Sequence, residues 1–373
     1  MAQLHRFVAL RDRHDTCVFT FLLSRRVTKP LSPDIFTRDF ACAHQRWCLS
    51  FVRREKHLSV YLVLKEAADG LQVALDYSIT ILNREHFSRN EGFNVRACVF
   101  SRERDTHGRK MFVSIDDLLG RQFTDGNSEY VIELTIGGAL TTFTHRLRMP
   151  DLTRATGFPK YETTYFSFGS YDWSVSMFPH GDSDDNVGRP LVYLTRHTHF
   201  EHLCKLKYEL TLGEGAACMD SDTIQHVFDI SGTGEGYVLN NVSVASLLRQ
   251  AELYVALKLL SVGTVSEVRI PVLDRGRNCA TLYDRDKQAW AVVSEFDRGT
   301  LKLRLFYSDA RNVPRNYLRY VAWNAVVVTA TGDTVPVSDG PFYRYYVQVE
   351  CDDGYDMTTN IQENDFNNCQ TFS

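Results

Sequence analysis

The sequence lacks the marks of most chemically specialised classes. Its nine cysteines, an odd number, are scattered without one CxxC pair. Neither a disulfide framework nor a paired-cysteine zinc site is indicated, and a reducing compartment is expected. No apolar run approaches the roughly 20 residues that cross a bilayer. The opening residues, MAQLHRFVALRDRHD, hold no sustained apolar stretch of the kind an export signal needs. The expected location is the cytoplasm or the nucleus. Charge of one sign is missing too: Lys and Arg total 42 against 46 for Asp and Glu, a net charge of -4. That argues against nucleic acid or a membrane surface as the partner, since both call for clustered cations. Heptads are absent, so no coiled-coil trimer is expected and the oligomeric state stays open.

Catalytic signatures are equally scarce. No GxSxG and no cysteine-centred motif singles out a nucleophile. The glycines of residues 232–236 (GTGEG) are not followed by GK(S/T) and read as a turn, not as a phosphate loop. Asp182, Asp184 and Asp185 space oxygen donors as a calcium loop would, but without the glycine and closing glutamate of an EF-hand. A flexible linker is expected there. His197, His199 and His202 lie close in sequence, and on a strand residues two apart share a face. Further ligands are not identifiable, and the run sits between two strand patterns. The basic groups at 53–57 and 102–110 are interrupted by acids or turns and read as solvated loops. The expectation is a protein without catalytic activity, metal or cofactor. Two alternatives stay open: a carbohydrate- or ligand-binding sandwich, which the 12% aromatic content allows, and a metal-dependent enzyme built on His197, His199 and His202.

What the sequence does have is period-two alternation. It occurs at residues 58–64 (LSVYLVL), 73–82 (VALDYSITIL), 130–136 (YVIELTI), 205–212 (KLKYELTL), 301–307 (LKLRLFY) and 343–349 (YRYYVQV). Val, Ile, Tyr, Phe and Thr fill these runs, and Gly, Asp, Asn and Pro separate them. One apolar and one wet face per strand is the pattern of antiparallel sandwiches. The class is all-β.

The alternation is also repeated. Trp47 in RWCLSF, Trp173 in DWSVSM and Trp290 in AWAVVS each precede an alternating strand and then a strand with a central aromatic, respectively Tyr77, Tyr208 and Trp323. All six are expected as core anchors. Two copies continue in step, through VSIDDLL (113–119) and VSVASLL (242–248), to the closing strands EYVIELTI and ELYVALKL. The third departs after residue 328. Two complete copies and one partial one follow, at 1–148, 149–274 and 275–373. The separators are Gly137-Gly138 with residues 147–159, and residues 271–278; the polar tail 352–373 is expected to be loosely ordered.

These residues resemble the TRAF/MATH (meprin and TRAF homology) domain family in tandem. The second copy carries 164–173 (TYFSFGSYDW) and then Gly236-Tyr237-Val238 running into 242–248. The first carries Ser32 to Phe36 and Asp39-Phe40 before Trp47, then Gly108 to Val113 leading to Leu118. The resemblance covers residues 15–272, with a weaker echo over 280–350. It implies tandem antiparallel sandwiches that bind other proteins, as extended peptide segments laid along an exposed sheet edge. It also implies adaptors or substrate receptors in ubiquitin-linked signalling, although no BTB, RING or coiled-coil segment is present. The partner-binding residues implied are Cys98, Phe100, His107 and Arg109 in the first copy and Glu235 and Tyr237 in the second. Both copies depart from the family's aromatic pocket, with His107-Gly108-Arg109 and Glu235-Gly236-Tyr237 where Trp-Gly-Phe is usual. The family's peptide preference therefore does not carry over.

Overall fold

A computed structural model gives the fold, and the structure describes residues 2–10, 14–30, 32–124, 127–150, 152, 156–198, 201–229, 232–240, 242–270, 276–314, 318–328, 334–337 and 342–362. The chain is all-β, its paired strands run antiparallel, and it divides into two compact units, Met1–Val265 and Ser266–Ser373.

The first unit opens with β1 (Gln3–Ala9), β2 (Cys17–Ser24), β3 (Ile35–Phe36), β4 (Phe40–Cys42), β5 (Gln45–Arg54), β6 (His57–Lys65), β7 (Leu71–Ile81), β8 (Glu91–Ser101) and β9 (Thr106–Ser114). Helix α1 (Ile115–Gly120) and β10 (Glu129–Arg148) follow. One sheet has the order β3-β5-β6-β9, with β4 also on β5; the facing layer is β1-β2-β10-β7-β8. Alternation sends Phe19, Phe21 and Leu23 of β2 and Trp47, Leu49 and Phe51 of β5 into the space between the layers. The segment 113–119 is not a strand throughout. Ser114 caps α1 by accepting from the Asp117 N–H (3.0 Å), and Ile115 and Leu118 seal the core.

The chain continues through β11 (Tyr161–Glu162), β12 (Phe166–Phe168), β13 (Tyr171–Phe178), β14 (Leu191–Arg196), β15 (Leu203–Leu212), β16 (Met219–Asp220), β17 (Ile224–Phe228), β18 (Tyr237–Val238), α2 (Val244–Leu247) and β19 (Glu252–Val265). This half repeats the first in detail. The Trp47 indole N–H donates to the Cys42 carbonyl (2.9 Å), and that of Trp173 to the Phe168 carbonyl (3.0 Å). Trp47 meets Phe100 edge-on at 4.9 Å, as Trp173 meets Phe228. Thr37 and Leu49 exchange two hydrogen bonds, as do Thr163 and Val175. The turns before each Trp, Ala43-His44 and Gly169-Ser170, have positive φ at both positions, the type I′ geometry that suits a two-residue hairpin.

One expected separator is corrected. Gly137 and Gly138 lie inside β10 and do not end a copy. β10 pairs with β2 through residues 129–136 and with β19 through 141–148 on the same edge, while β7 runs along its other edge. The glycines form a one-residue bulge, with Gly138 at φ 61. Buried positions accordingly switch from Tyr130, Ile132, Leu134 and Ile136 to Thr141, Phe143 and Leu147, which keeps them on one face. One nine-stranded sheet thus backs two cores, the first drawn from residues 2–136 and the second from Leu71 and residues 143–262.

The second unit holds β20 (Arg277–Tyr283), β21 (Ala289–Asp297), β22 (Thr300–Tyr307), β23 (Arg319–Trp323), β24 (Val326–Val328), β25 (Thr334–Pro336), β26 (Phe342–Tyr346) and β27 (Tyr355–Gln362). A four-stranded sheet β20-β21-β22-β27 is accompanied by the two-stranded sheets β23-β26 and β24-β25. Its core is small: Trp290 stacks on Tyr307 at 4.3 Å, beside Tyr346, Leu305 and Met357. Trp323 is only half-buried, on the two-stranded layer. Residues 355–362, expected in a loose tail, instead form β27, because Met357 and Thr359 alternate into the core. Residues 363–373 lie outside the described residues.

Candidate interaction edges

β8 and β9 are joined by a tight turn in which Ser101 and Arg104 exchange backbone hydrogen bonds. They nevertheless belong to opposite sheets, β8 pairing with β7 and β9 with β6. Among the described residues neither has a strand on its other side, so two sheet edges lie open next to each other. β17, on β15, and β18, on β14, occupy the same places in the second half. An open edge presents unpaired backbone donors and acceptors that an extended segment can satisfy.

A glycine seats each outer strand. A Cβ on Gly108 would lie 2.0 Å from the Val60 carbonyl oxygen and 2.6 Å from the Tyr61 Cα, and one on Gly236 would lie 2.7 Å from the Tyr193 ring. At Gly108 only a bare backbone fits so close to β6, whereas at Gly236 a Cβ would have to displace the Tyr193 ring. Taking these glycines as equivalent puts His107 opposite Glu235 and Arg109 opposite Tyr237, and the matching Trp contacts put Phe100 opposite Phe228.

The expected partner-binding residues divide by depth. Cys98 and Phe100 are buried and form the floor beneath the first edge. Burial pushes the Cys98 thiol above its usual range, against the nearby Arg104, and pushes Tyr77 beside it up to about 12. His107 is half-buried and crosses between the sheets: its Nε2 lies 3.0 Å from the Val99 carbonyl, which can only accept, so Nε2 carries the proton. Arg109 is exposed and lays its guanidinium 4.9 Å over the Phe93 ring. On the second edge the Glu235 N–H donates to His226 Nε2 (3.3 Å), which is therefore unprotonated. Burial holds His226 below its usual range, against the opposing pull of Glu235 and Asp229. Glu235 is exposed, and Tyr237 packs half-buried against the second core.

Several surface residues of this edge were not among those expected. Phe93 underlies Arg109 and packs edge-on against Phe112 at 5.6 Å, and Val99 and Met111 expose apolar surface, Met111 at 66%. The signal for β8 was present but disguised. A one-residue bulge at Arg96-Ala97, where Ala97 N–H donates to the Asp76 carboxylate (2.7 Å), moves the inward positions from Phe93 and Val95 to Cys98 and Phe100. Simple alternation therefore breaks in the middle of the strand.

The other candidates are placed as follows. His197 contacts the Ser174 hydroxyl (2.8 Å), and that hydroxyl donates to Glu162 (2.6 Å), so the imidazole Nε2–H must be the donor to Ser174. His202 lies just before β15 and accepts through its carbonyl from Arg196 (2.9 Å). His199 lies outside the described residues. No group of three His, Cys, Asp or Glu arranged to hold a metal occurs among the described residues. The Asp182 loop, expected as a flexible linker, is instead folded round its carboxylate, which accepts from Tyr193, Asn186 and Ser183. Those donors hold Asp182 below the usual carboxylate range, while burial first and the carboxylate second push Tyr193 up to about 12. No helix among the described residues is long and apolar enough to cross a membrane. No protein-family model and no curated protein matches the chain.

Proposed function

We propose that the chain is a non-catalytic protein-interaction module, built from tandem MATH-like sandwiches, that binds extended segments of partner proteins along the β8/β9 and β17/β18 edges. The observation that supports this most is the coincidence of the two open edges with the Gly108 and Gly236 segments, which carry the sequence resemblance. A second strand of support is geometric. The apolar floor of Phe93, Phe100 and Phe112 lies under a rim of exposed polar side chains, which suits pockets for alternate residues of an added strand. An adaptor or substrate receptor in ubiquitin-linked signalling, in the cytoplasm or nucleus, is the role this reading favours.

Lys110 lies exposed on β9 and serves as a built-in reporter. Lysine-reactive crosslinking in cells, followed by mass spectrometry, should join Lys110 to segments of other proteins. If crosslinks to partners gather elsewhere while Lys110 links only within its own chain, the edge reading fails.

A further inference from the structure

The two edges match in backbone and differ in charge. On the first edge Arg96, Arg104, Arg109 and Lys110 are all exposed, and none forms an ion pair among the described residues. Of the acids on these two strands and their turn, Glu91 pairs with Arg121 (3.2 Å), whereas Glu103 and Asp105, which accept from the neutral hydroxyls of Ser101 (2.8 Å) and Thr106 (2.8 Å), keep their charge and offset only two of the four cations. Arg102 is neutralised by Asp69 (2.6 Å). The excess on this edge is therefore cationic. Residues 224–238 of the second edge contain no Lys or Arg, and carry Asp229 and Glu235. At the equivalent positions on either side of the seating glycine, His107 and Arg109 stand where the other edge has Glu235 and Tyr237.

We propose that the β8/β9 edge selects an acidic extended segment of a partner protein, and that the β17/β18 edge rejects one. The proposal rests on the reading of these edges as segment-binding sites. The first edge would meet its ligand in two ways. Backbone pairing is available along Thr106 to Arg109, ahead of the bulge in which residues 110–112 face the single residue Ser59. Carboxylates on alternate residues of the added segment would then point toward one face, the one on which Arg109 follows His107, since side chains on a strand alternate, while the exposed Lys110 next to it adds to the local cationic field. Such exposed pairs are individually weak, each changing affinity about twofold to fivefold, but several acting together set a preference.

The test uses the full chain and three fluorescent extended peptides, alternating valine with glutamate, with serine or with lysine, followed by anisotropy. The glutamate peptide should bind about tenfold more tightly than the lysine peptide at low ionic strength, with serine between them. That advantage should shrink as salt is raised, because exposed charges are screened within roughly 10 Å at 0.1 M. A chain carrying Arg109→Glu and Lys110→Glu should lose the preference while keeping its circular dichroism spectrum and melting temperature, since both side chains are exposed. Equal binding of all three peptides, or a glutamate preference that survives the double charge reversal, overturns the charge selection and leaves the edge reading standing. Binding of none of the three overturns both.

Discussion

The backbone N–H of Gly169 donates to the carbonyl of His44, 2.8 Å away, and so ties the type I′ turn of one half to that of the other. The contact is reinforced on either side, by the His44 ring 5.0 Å from that of Phe168 and by Gln45, whose amide donates to the Ser167 carbonyl (3.4 Å). Together with β10, these turns join the two halves at two separate places.

Gly169 is therefore a sensitive position. It has φ +65, and a Cβ there would lie 2.1 Å from a Val262 methyl, whereas Gly157, with φ +76, has open space around it. Gly157→Ala should cost about 1–2 kcal/mol from left-handed backbone alone. Gly169→Ala should cost roughly 1–3 kcal/mol more through overpacking. Urea denaturation of both variants measures the difference; equal costs would mean that Val262 simply swings aside.

Gly108→Ala tests the seat of β9. The clash is with backbone atoms of β6, which cannot rotate away, so β9 must lift from its sheet. A loss of roughly 1–3 kcal/mol is expected, with faster amide exchange over 106–113. Gly120→Ala at the end of α1, where a Cβ meets nothing within 4 Å, should stay within about 1 kcal/mol of the parent.

Acid should weaken the first unit through imidazoles that their surroundings partly desolvate, His145 and His226 half-buried and His44 exposed but packed on one side against Phe168. That desolvation holds all three below their usual range. The unfolded chain then takes up protons near pH 6.5 that the folded chain still refuses, so their contribution is present above that pH and lost as pH falls below it. His44→Asn keeps a residue tolerant of positive φ and removes the titration. Its denaturation midpoint should fall less steeply between pH 6.5 and 5 than that of the parent.

Thiol chemistry should separate the cysteines by depth. Cys218, Cys279 and Cys351 are exposed, whereas Cys42, Cys48, Cys98 and Cys204 are buried. Three of the buried thiols are also pushed up: Cys42 by its contact with Cys17 and then by burial, Cys48 and Cys98 by burial first. Since the thiolate is the reactive form, brief alkylation of the native chain should label the exposed three and spare the buried four, as peptide mass spectrometry would show. Rapid labelling of Cys98 without denaturant would contradict a closed floor beneath the first edge.

The period-two pattern carried the all-β class because β6, β7, β15 and β22 alternate without interruption. It lost β8 to the bulge at Ala97, and β17 is only a five-residue strand with a histidine at its centre. Gly137-Gly138 looked like a boundary because paired glycines usually mark turns; only the pairing of β10 with β2 and β19 reveals one continuous strand. The floor residues Cys98 and Phe100 were found through the family resemblance. Phe93 was not, since its role depends on Arg109 arriving from the other sheet, and a contact between layers leaves no local trace in sequence.

Sharing β10 limits how the chain can be divided in the laboratory. A fragment ending at 148 would strip β19 from residues 141–148, leaving 144–148 a bare ribbon beyond the end of β7, and would leave Leu71 and Phe143 open to solvent. Such ribbons recruit one another and precipitate. Expression trials that respect the molecule should begin at the first residues and stop near 265, carrying both halves together.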